Sequence, residues 1–133
     1  VVVNAGEEDL ADVVKAETDG LGADVVIEAV GTPATWEKAF ELVRRGGTVL
    51  EFGGCPPGTS VSISTELLHY GEVRALGSFH ATPREFEVAL SMIASGAVAV
   101  KPIITSRRRL GEIHAVMRSL VEEKKDLKVA IIP

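Results

Sequence analysis

Apolar runs that stop at glycines alternate with amphipathic segments along the chain. Residues 23–31 read Ala-Asp-Val-Val-Ile-Glu-Ala-Val-Gly and predict a strand with little polar alternation, as in a parallel sheet with both faces covered. Residues 45–54 read Arg-Gly-Gly-Thr-Val-Leu-Glu-Phe-Gly-Gly and predict the next strand. Successive strands that end in glycine are typical of a doubly wound sheet, whose strand ends line a ligand crevice.

Two amphipathic helices are predicted after strand ends, each with proline at its first position, where the missing N–H costs little. Thr32 begins the first helix, Gly46-Gly47 ends it, and its apolar stripe is Trp36, Ala39, Phe40 and Val43. A capping box of Thr82 and Glu85 begins the second helix, which Gly96 ends. Its predicted buried stripe is Phe86, Ala89, Leu90 and Ile93.

The remaining pattern completes an alternation of strands and helices. Strands are predicted at residues 1–5, 25–30, 48–52, 73–79 and 127–132, and extended pieces at 61–63 and 102–105. Further helices are predicted at residues 7–18, 65–70 and 110–123. The fold class is therefore α/β, with a parallel sheet and right-handed crossovers.

Composition narrows the class of protein. The chain has 133 residues, of which 46% are apolar and 25% charged, as in an ordinary soluble globular protein. A net charge of −5 argues against nucleic-acid and anionic-membrane surfaces. Cys55 is the only cysteine, which excludes an intrachain disulfide and fits a reducing cytoplasm. The run Arg107–Arg109 predicts a solvated turn, with phosphate contact as the alternative.

Three motifs together carry a family resemblance: residues 23–33, 45–54 and 77–83. With weaker echoes at 93–96 and 102–105, they resemble the medium-chain dehydrogenase/reductase family, the zinc-containing alcohol, sorbitol and threonine dehydrogenases. The resemblance covers nearly the whole chain. It implies a partial Rossmann-like sheet at residues 1–99, the distal part of the NAD(P)-binding domain, and a helix-strand return toward the catalytic domain at 100–133.

The family resemblance implies an NAD or NADP cofactor across the carboxyl ends of the strands. Carried over position by position, the contacts are Ala29, Val30 and Gly31 at the ribose, Phe52, Gly53 and Gly54 at the nicotinamide, and Gly77, Ser78 and Phe79 at the carboxamide. Glycine in these positions would let backbone groups approach a flat ring. The alternative is that these glycines merely end strands, as in any α/β protein.

Other parts of the family pattern lie outside these residues. The Gly-rich pyrophosphate loop, the acidic ribose ligand and the catalytic zinc ligands have no counterpart, so the chain is predicted to begin at the third strand of the cofactor domain. Its start at Val1, within a strand-like run, indicates an imposed boundary. No catalytic residue is predicted, and His69, His80 and His114 lack metal-ligand spacing.

Two residues keep alternative interpretations open. Glu28 lies inside an apolar strand, so it is predicted to form a structural hydrogen bond to a neighbouring loop, with catalysis as the alternative. His80 is predicted to cap local backbone in a turn, with a cofactor or substrate contact as the alternative.

The sequence therefore predicts the C-terminal fragment of a zinc-type NAD(P)-dependent alcohol or polyol dehydrogenase, inactive by itself. The alternatives are a noncatalytic α/β assembly module and a methyltransferase-like domain. Strand 73–79 is predicted to be a sheet edge that forms a homodimer. Strand 1–5 is predicted to become disordered or to move beside 25–30, and the final strand is predicted to need a new partner.

Overall fold

A computed structural model describes residues 1–123 and 125–133, which form two compact units. The first unit is Val1–His80 and the second is Ala81–Pro133. The division predicted at residue 99 concerns the domains of a longer enzyme, and it stays a prediction.

The first unit is a parallel three-stranded sheet with helices between its strands. Its helices are α1 (Leu10–Glu17), α2 (Pro33–Leu42) and α3 (Thr65–His69). Its strands are β1 (Ala23–Glu28), β2 (Val43–Glu51) and β3 (Arg74–Gly77), paired in the order β1-β2-β3. The α/β class is confirmed, and β3 is an edge strand as predicted.

The core of this unit lies on one face of the sheet. Val49, in the central strand, has no exposed surface and packs with Ala39 and Phe40 of α2. These two residues belong to the apolar stripe predicted from helical spacing. On the other face, Val25 and Ile27 of β1 stay more than half exposed. The prediction of a strand covered on both faces is therefore wrong, because the buried side chains of this unit gather on one face.

Side-chain capping fixes where α2 begins. The Thr32 side chain accepts a hydrogen bond from the Thr35 N–H, and the Thr35 hydroxyl accepts one from the Thr32 N–H. Pro33 occupies the first helical position, as predicted. At the start of the second amphipathic helix, the Glu85 carboxylate accepts a hydrogen bond from the Thr82 N–H, which confirms this half of the predicted capping box, but the Thr82 side chain accepts none in return.

The glycine pair 46–47 was predicted to end α2, and the structure corrects this. The chain passes from α2 into β2 at Val43, so both glycines lie inside the strand. The pairing with β1 jumps between Val43 and Thr48, which shows that the intervening residues bulge. Gly46 adopts a φ of 72°, and its N–H donates to the Gly71 carbonyl at 2.7 Å. The glycines therefore serve a bulge.

The N-terminal segment 1–5 was predicted to be a strand, and it is not one. Val1 and Val2 are almost fully exposed, and the ladder neighbour of β1 is β2. The predicted move beside residues 25–30 is therefore wrong, because strand propensity alone does not produce a ladder without pairing and burial. The alternative, disorder of this segment, stays a prediction.

The second unit pairs two parallel strands across a helix. It contains α4 (Pro83–Ala94), β4 (Ile104–Arg109), a 3₁₀ turn (Leu110–Glu112), α5 (Ile113–Glu122) and β5 (Lys128–Ile132). The final strand, β5, thus pairs with β4 of the same chain. The arginine run 107–109 lies in β4 and not in a turn, because its backbone pairs with β5.

The apolar stripe predicted for α4 is exposed. Phe86 and Leu90 each keep about two thirds of their surface, and no residue of this helix is buried. Helical spacing predicts which side chains share a face, but burial depends on what packs against it. Across the part of the chain that the structure describes, no helix is both long and apolar enough to cross a membrane.

Candidate functional site at the carboxyl ends of the sheet

The parallel register brings the ends of three strands to one edge of the sheet. Glu28 of β1 lies beside Glu51 of β2, which lies beside Gly77 of β3. The predicted site segments 29–31, 52–54 and 77–79 begin at or directly after these residues. The structure therefore brings all three segments together, as the sequence predicted from strand ends.

Backbone hydrogen bonds tie two of these segments to the end of the neighbouring strand. The N–H groups of Phe52 and Gly53 both donate to the Glu28 carbonyl at 2.9 Å. The Ser78 N–H donates to the Glu51 carbonyl at 3.2 Å. These three donors are therefore used within the protein and hold the edge in place.

The Glu28 carboxylate organises the turn after β1. Its Oε1 accepts hydrogen bonds from the N–H groups of Val30 at 2.8 Å and Gly31 at 2.9 Å. Burial disfavours the charged form, but hydrogen bonds led by that from Gly31 outweigh it and hold the pKa of Glu28 below its ordinary value. The predicted structural role of Glu28 is confirmed.

Glycine is required at two of the site positions because the chain approaches itself closely. A Cβ at Gly53 would lie 2.5 Å from both Glu28 Oε2 and the Gly31 nitrogen. Gly31 has a φ of 83°, and a Cβ there would lie 2.6 Å from the Gly54 carbonyl oxygen. By contrast, Gly54 and Gly77 face open space. Only these last two leave room for a ligand to approach the backbone.

Large apolar side chains are exposed at the end of each strand. Val30, Phe52 and Phe79 keep 71%, 63% and 86% of their surface. Exposed apolar side chains grouped at the carboxyl ends of parallel strands suit a flat, partly apolar ligand.

Sequence reasoning missed two residues of this site. Helical spacing assigns Trp36 to an apolar stripe, but its indole N–H also donates to the Gly53 carbonyl at 2.8 Å. A half-buried indole N–H needs a hydrogen-bond acceptor, and this need was the signal in the sequence for such a contact. The second residue is Glu51, and the available signal was a charged residue between apolar ones in a strand.

Glu51 is the electrostatically unusual group of the site. Its side chain is buried, and neither carboxyl oxygen has a hydrogen-bond partner among the residues that the structure describes. Burial, followed by the charge of Glu28, raises the pKa of Glu51 to about 7. Burial also raises the pKa of the Cys55 thiol, as do the charges of Glu28 and Glu51. Cys55 therefore has no feature of an activated thiolate, as the sequence indicated.

Two of the histidines, His69 and His80, each lie against a neighbouring aromatic ring. His80 lies in the turn after β3 with a φ of 65°, and its ring lies against Phe79 with 3.6 Å between ring centroids. The ring of His69 meets the exposed Tyr70 edge-on, as predicted for a surface pair. Within residues 1–123 and 125–133, no group of three or more His, Cys, Asp or Glu side chains could hold a metal ion.

Comparison with known proteins agrees with this geometry. The profile of the zinc-binding dehydrogenase family matches residues 1–95. The chain belongs to this family. D-arabitol-phosphate dehydrogenase of Enterococcus avium is 30% identical over 131 residues, a match that covers 98% of this chain and 37% of that protein. Sorbitol dehydrogenase of Bacillus subtilis is 28% identical, with 99% and 37% covered.

Solved structures of zinc-binding dehydrogenases and their relatives share the fold. An alcohol dehydrogenase from Thermus sp. ATN1 superimposes with a TM-score of 0.85 at 28% identity, covering 98% of this chain and 37% of that one. A protein from Sinorhizobium meliloti solved with NADP bound gives 0.86 at 32% identity, with 98% and 38% covered. The zinc-binding dehydrogenase chain described here thus spans well under half the length of these relatives.

Replacing Gly53 with alanine tests the close approach of the two loops. We expect Gly53→Ala to lower the free energy of unfolding by about 1–3 kcal/mol, because the backbone around Gly31 must shift. Urea denaturation of the chain measures this. The matched control is Gly54→Ala, whose Cβ would meet nothing within 4 Å. Equal losses in the two variants would contradict the explanation.

Proposed function

We propose that the chain is the C-terminal part of an NAD(P)-dependent alcohol or polyol dehydrogenase and forms the nicotinamide side of its cofactor site. The alignment of Glu28, Glu51 and Gly77 is the observation that carries the proposal, because it collects three ligand-facing segments at one edge. Two relatives are named for arabitol phosphate and sorbitol, which supports a polyol as the class of substrate.

Residues of this chain would bind and orient the nicotinamide ring. When bound, the cofactor supplies hydride transfer to or from the alcohol carbon. The open backbone at Gly54 and Gly77 gives room for the ring, and the exposed side chains of Val30, Phe52 and Phe79 would cover it and exclude water. The ribose would lie at residues 29–31, and the carboxamide at residues 77–79.

The catalytic residues and the zinc ligands of such an enzyme would lie outside this chain. We assign no catalytic residue here, and we place the zinc in another part of a longer protein. The noncatalytic assembly module and the methyltransferase-like domain are not favoured, because the relatives reported above are dehydrogenases. The free Cys55 thiol suits a reducing compartment, and we propose the cytoplasm. The net charge of −5 does not favour nucleic-acid or anionic-membrane partners.

The native mass of the protein tests this proposal directly. We expect peptides of this chain to come from a protein well above 14.1 kDa, because the chain spans 37% of its relatives. Intact-mass measurement in an extract of the source organism, with sequencing of the C-terminal peptides, gives the answer. A native mass near 14.1 kDa would overturn the proposal.

Filling the open space at Gly77 tests the cofactor site. In the full-length protein, we expect Gly77→Leu to fold normally, because a Cβ there meets nothing within 4 Å. It should weaken NAD(H) or NADP(H) binding at least about tenfold, since overlap with the ligand costs more than about 1.4 kcal/mol. Titration calorimetry measures the affinity. Arg74→Leu, at the opposite end of the same exposed strand, is the control, and an equal loss there would contradict the assignment.

The edge strand β3 is the proposed homodimer contact. All four of its residues are exposed, and its outer edge carries unpaired backbone groups that another strand can bind. We expect the wild-type protein to sediment as a dimer. The Leu76→Glu variant should sediment as a monomer, because it places a charge on the strand that would lie in the interface. A monomeric wild-type protein, or a dimer that Leu76→Glu leaves intact, would contradict the contact.

A further inference from the structure

The strand-end site holds buried carboxyl oxygens that the proposed function does not use. Glu51 is only 6% exposed, and both of its carboxyl oxygens are buried without a hydrogen-bond partner. Oε2 of Glu28 is likewise buried without a hydrogen-bond partner, whereas Oε1 accepts hydrogen bonds from two backbone N–H groups. A buried carboxylate without donors is far less favourable than a buried neutral acid. One of these two carboxyls is therefore expected to keep a proton.

The sheet register places the two carboxyls side by side. Glu28 and Glu51 are direct partners in adjacent parallel strands, which lie about 4.8 Å apart. Two residues earlier, Val26 and Val49 are paired in the same way; Val49 belongs to the core, and the partly buried Val26 packs against it. Since side chains alternate along a strand, both glutamates point to the core face. Glu28 Oε2 is the acceptor left over for a donor on that face.

The surroundings decide which carboxyl keeps the proton. Burial raises the pKa of Glu28, but the hydrogen bonds that Oε1 accepts from Gly31 and Val30 outweigh it and hold the pKa below its ordinary value. Glu51 has no such donors, so burial and then the charge of Glu28 raise its pKa to about 7. Interacting carboxyls titrate as a pair, and Glu28, whose charged form accepts these hydrogen bonds, ionises first.

We propose that Glu51 is a positioning residue of the strand-end site, whose carboxyl keeps its proton and donates a hydrogen bond to Oε2 of Glu28. This bond ties the end of β2 to the turn that follows β1. When Glu51 loses its proton to solvent, two buried carboxylates face each other. Because like charges repel, segment 52–54 then loosens against segment 29–31. Only the effect on a cofactor rests on the proposed function, because the hydrogen bond needs no ligand.

Few other charged groups face Glu51. β3 meets it at Gly77, which has no side chain, and the buried residues of α2 are apolar. Lys38 of α2 lines a cavity with Glu28 and is paired with acids of its own, Asp9 and Glu41. In the loop after β2, Cys55 has a raised pKa and stays a neutral thiol near pH 7. Glu28 is therefore the main charge that Glu51 senses.

Carbon-13 NMR of the glutamate carboxyls tests the proton directly. In the wild-type chain, we expect the Glu51 carboxyl to titrate with a midpoint near pH 7, and the Glu51→Gln spectrum identifies its signal. Glu28→Gln should lower this midpoint, because the neighbouring charge is removed. A Glu51 midpoint below about 5, the range of ordinary glutamates, would overturn the proposal. This outcome is visible in the wild-type protein even if a variant folds poorly.

Thermal stability supplies a second readout. Because the pKa of Glu51 is raised in the folded state, its protonation stabilises the fold at low pH, and this contribution is lost as the pH rises from about 4.5 to about 7. Glutamine keeps a donor and cannot ionise. We therefore compare the melting temperatures of Glu51→Gln and the wild type at each pH. As the pH rises from 5 to 8, we expect the difference to shift in favour of Glu51→Gln by about 4 °C or more. A constant difference, or the same gain for exposed Glu17→Gln, would overturn the proposal.

Cofactor affinity of the full-length protein separates this inference from the proposed function. As the pH rises from 6 to 8.5, the cofactor affinity of the wild type should fall about threefold more than that of Glu51→Gln. In the wild type, segment 52–54 loosens at high pH and must be ordered again when the cofactor binds. Equal pH dependence in the two proteins would contradict the positioning role. If no nucleotide binds at any pH, the proposed function fails, while the NMR and melting results still support the carboxyl pair.

Discussion

The register of the parallel sheet is the constraint on which the candidate site depends. Glu28, Glu51 and Gly77 lie level across three neighbouring strands, so the segments that follow them must meet. If β1 slipped by one residue, Glu28 would point to the opposite face. The register itself is held by the core, because Val49 is fully buried in it and its strand partner Val26 packs against it.

At the carboxyl ends, hydrogen bonds hold irregular backbone in one arrangement. Glu28 contributes its carbonyl to the segment after β2 and its carboxylate to the turn after β1. Trp36 reaches the same region from α2 through its indole N–H. Glycine at positions 31 and 53 allows these loops to come closer than a Cβ would permit. A ligand would thus meet an edge that is already organised, which limits the ordering cost of binding.

The sheet of the first unit keeps apolar surface in contact with water. Val25, Ile27 and Leu76 remain more than half exposed, and β1 and β3 are both edge strands. Exposed apolar faces and open edges of this kind are typical of surfaces that other parts of a protein cover. Together with a match to only 37% of the length of its relatives, this surface supports the proposal that the chain works as part of a larger enzyme.

By itself, the sequence determined the α/β class, the family and the starts of α2 and α4, because these depend on local pattern: strand-ending glycines, helical spacing, and a threonine followed by proline at each helix start. The tertiary structure alone decided which surfaces are buried. The stripe of α4 and the segment 1–5 are exposed despite favourable patterns, and Gly46 serves a bulge, since pairing and packing depend on neighbours distant in the chain. For the same reason Glu51 was missed: only the register shows that it lies beside Glu28.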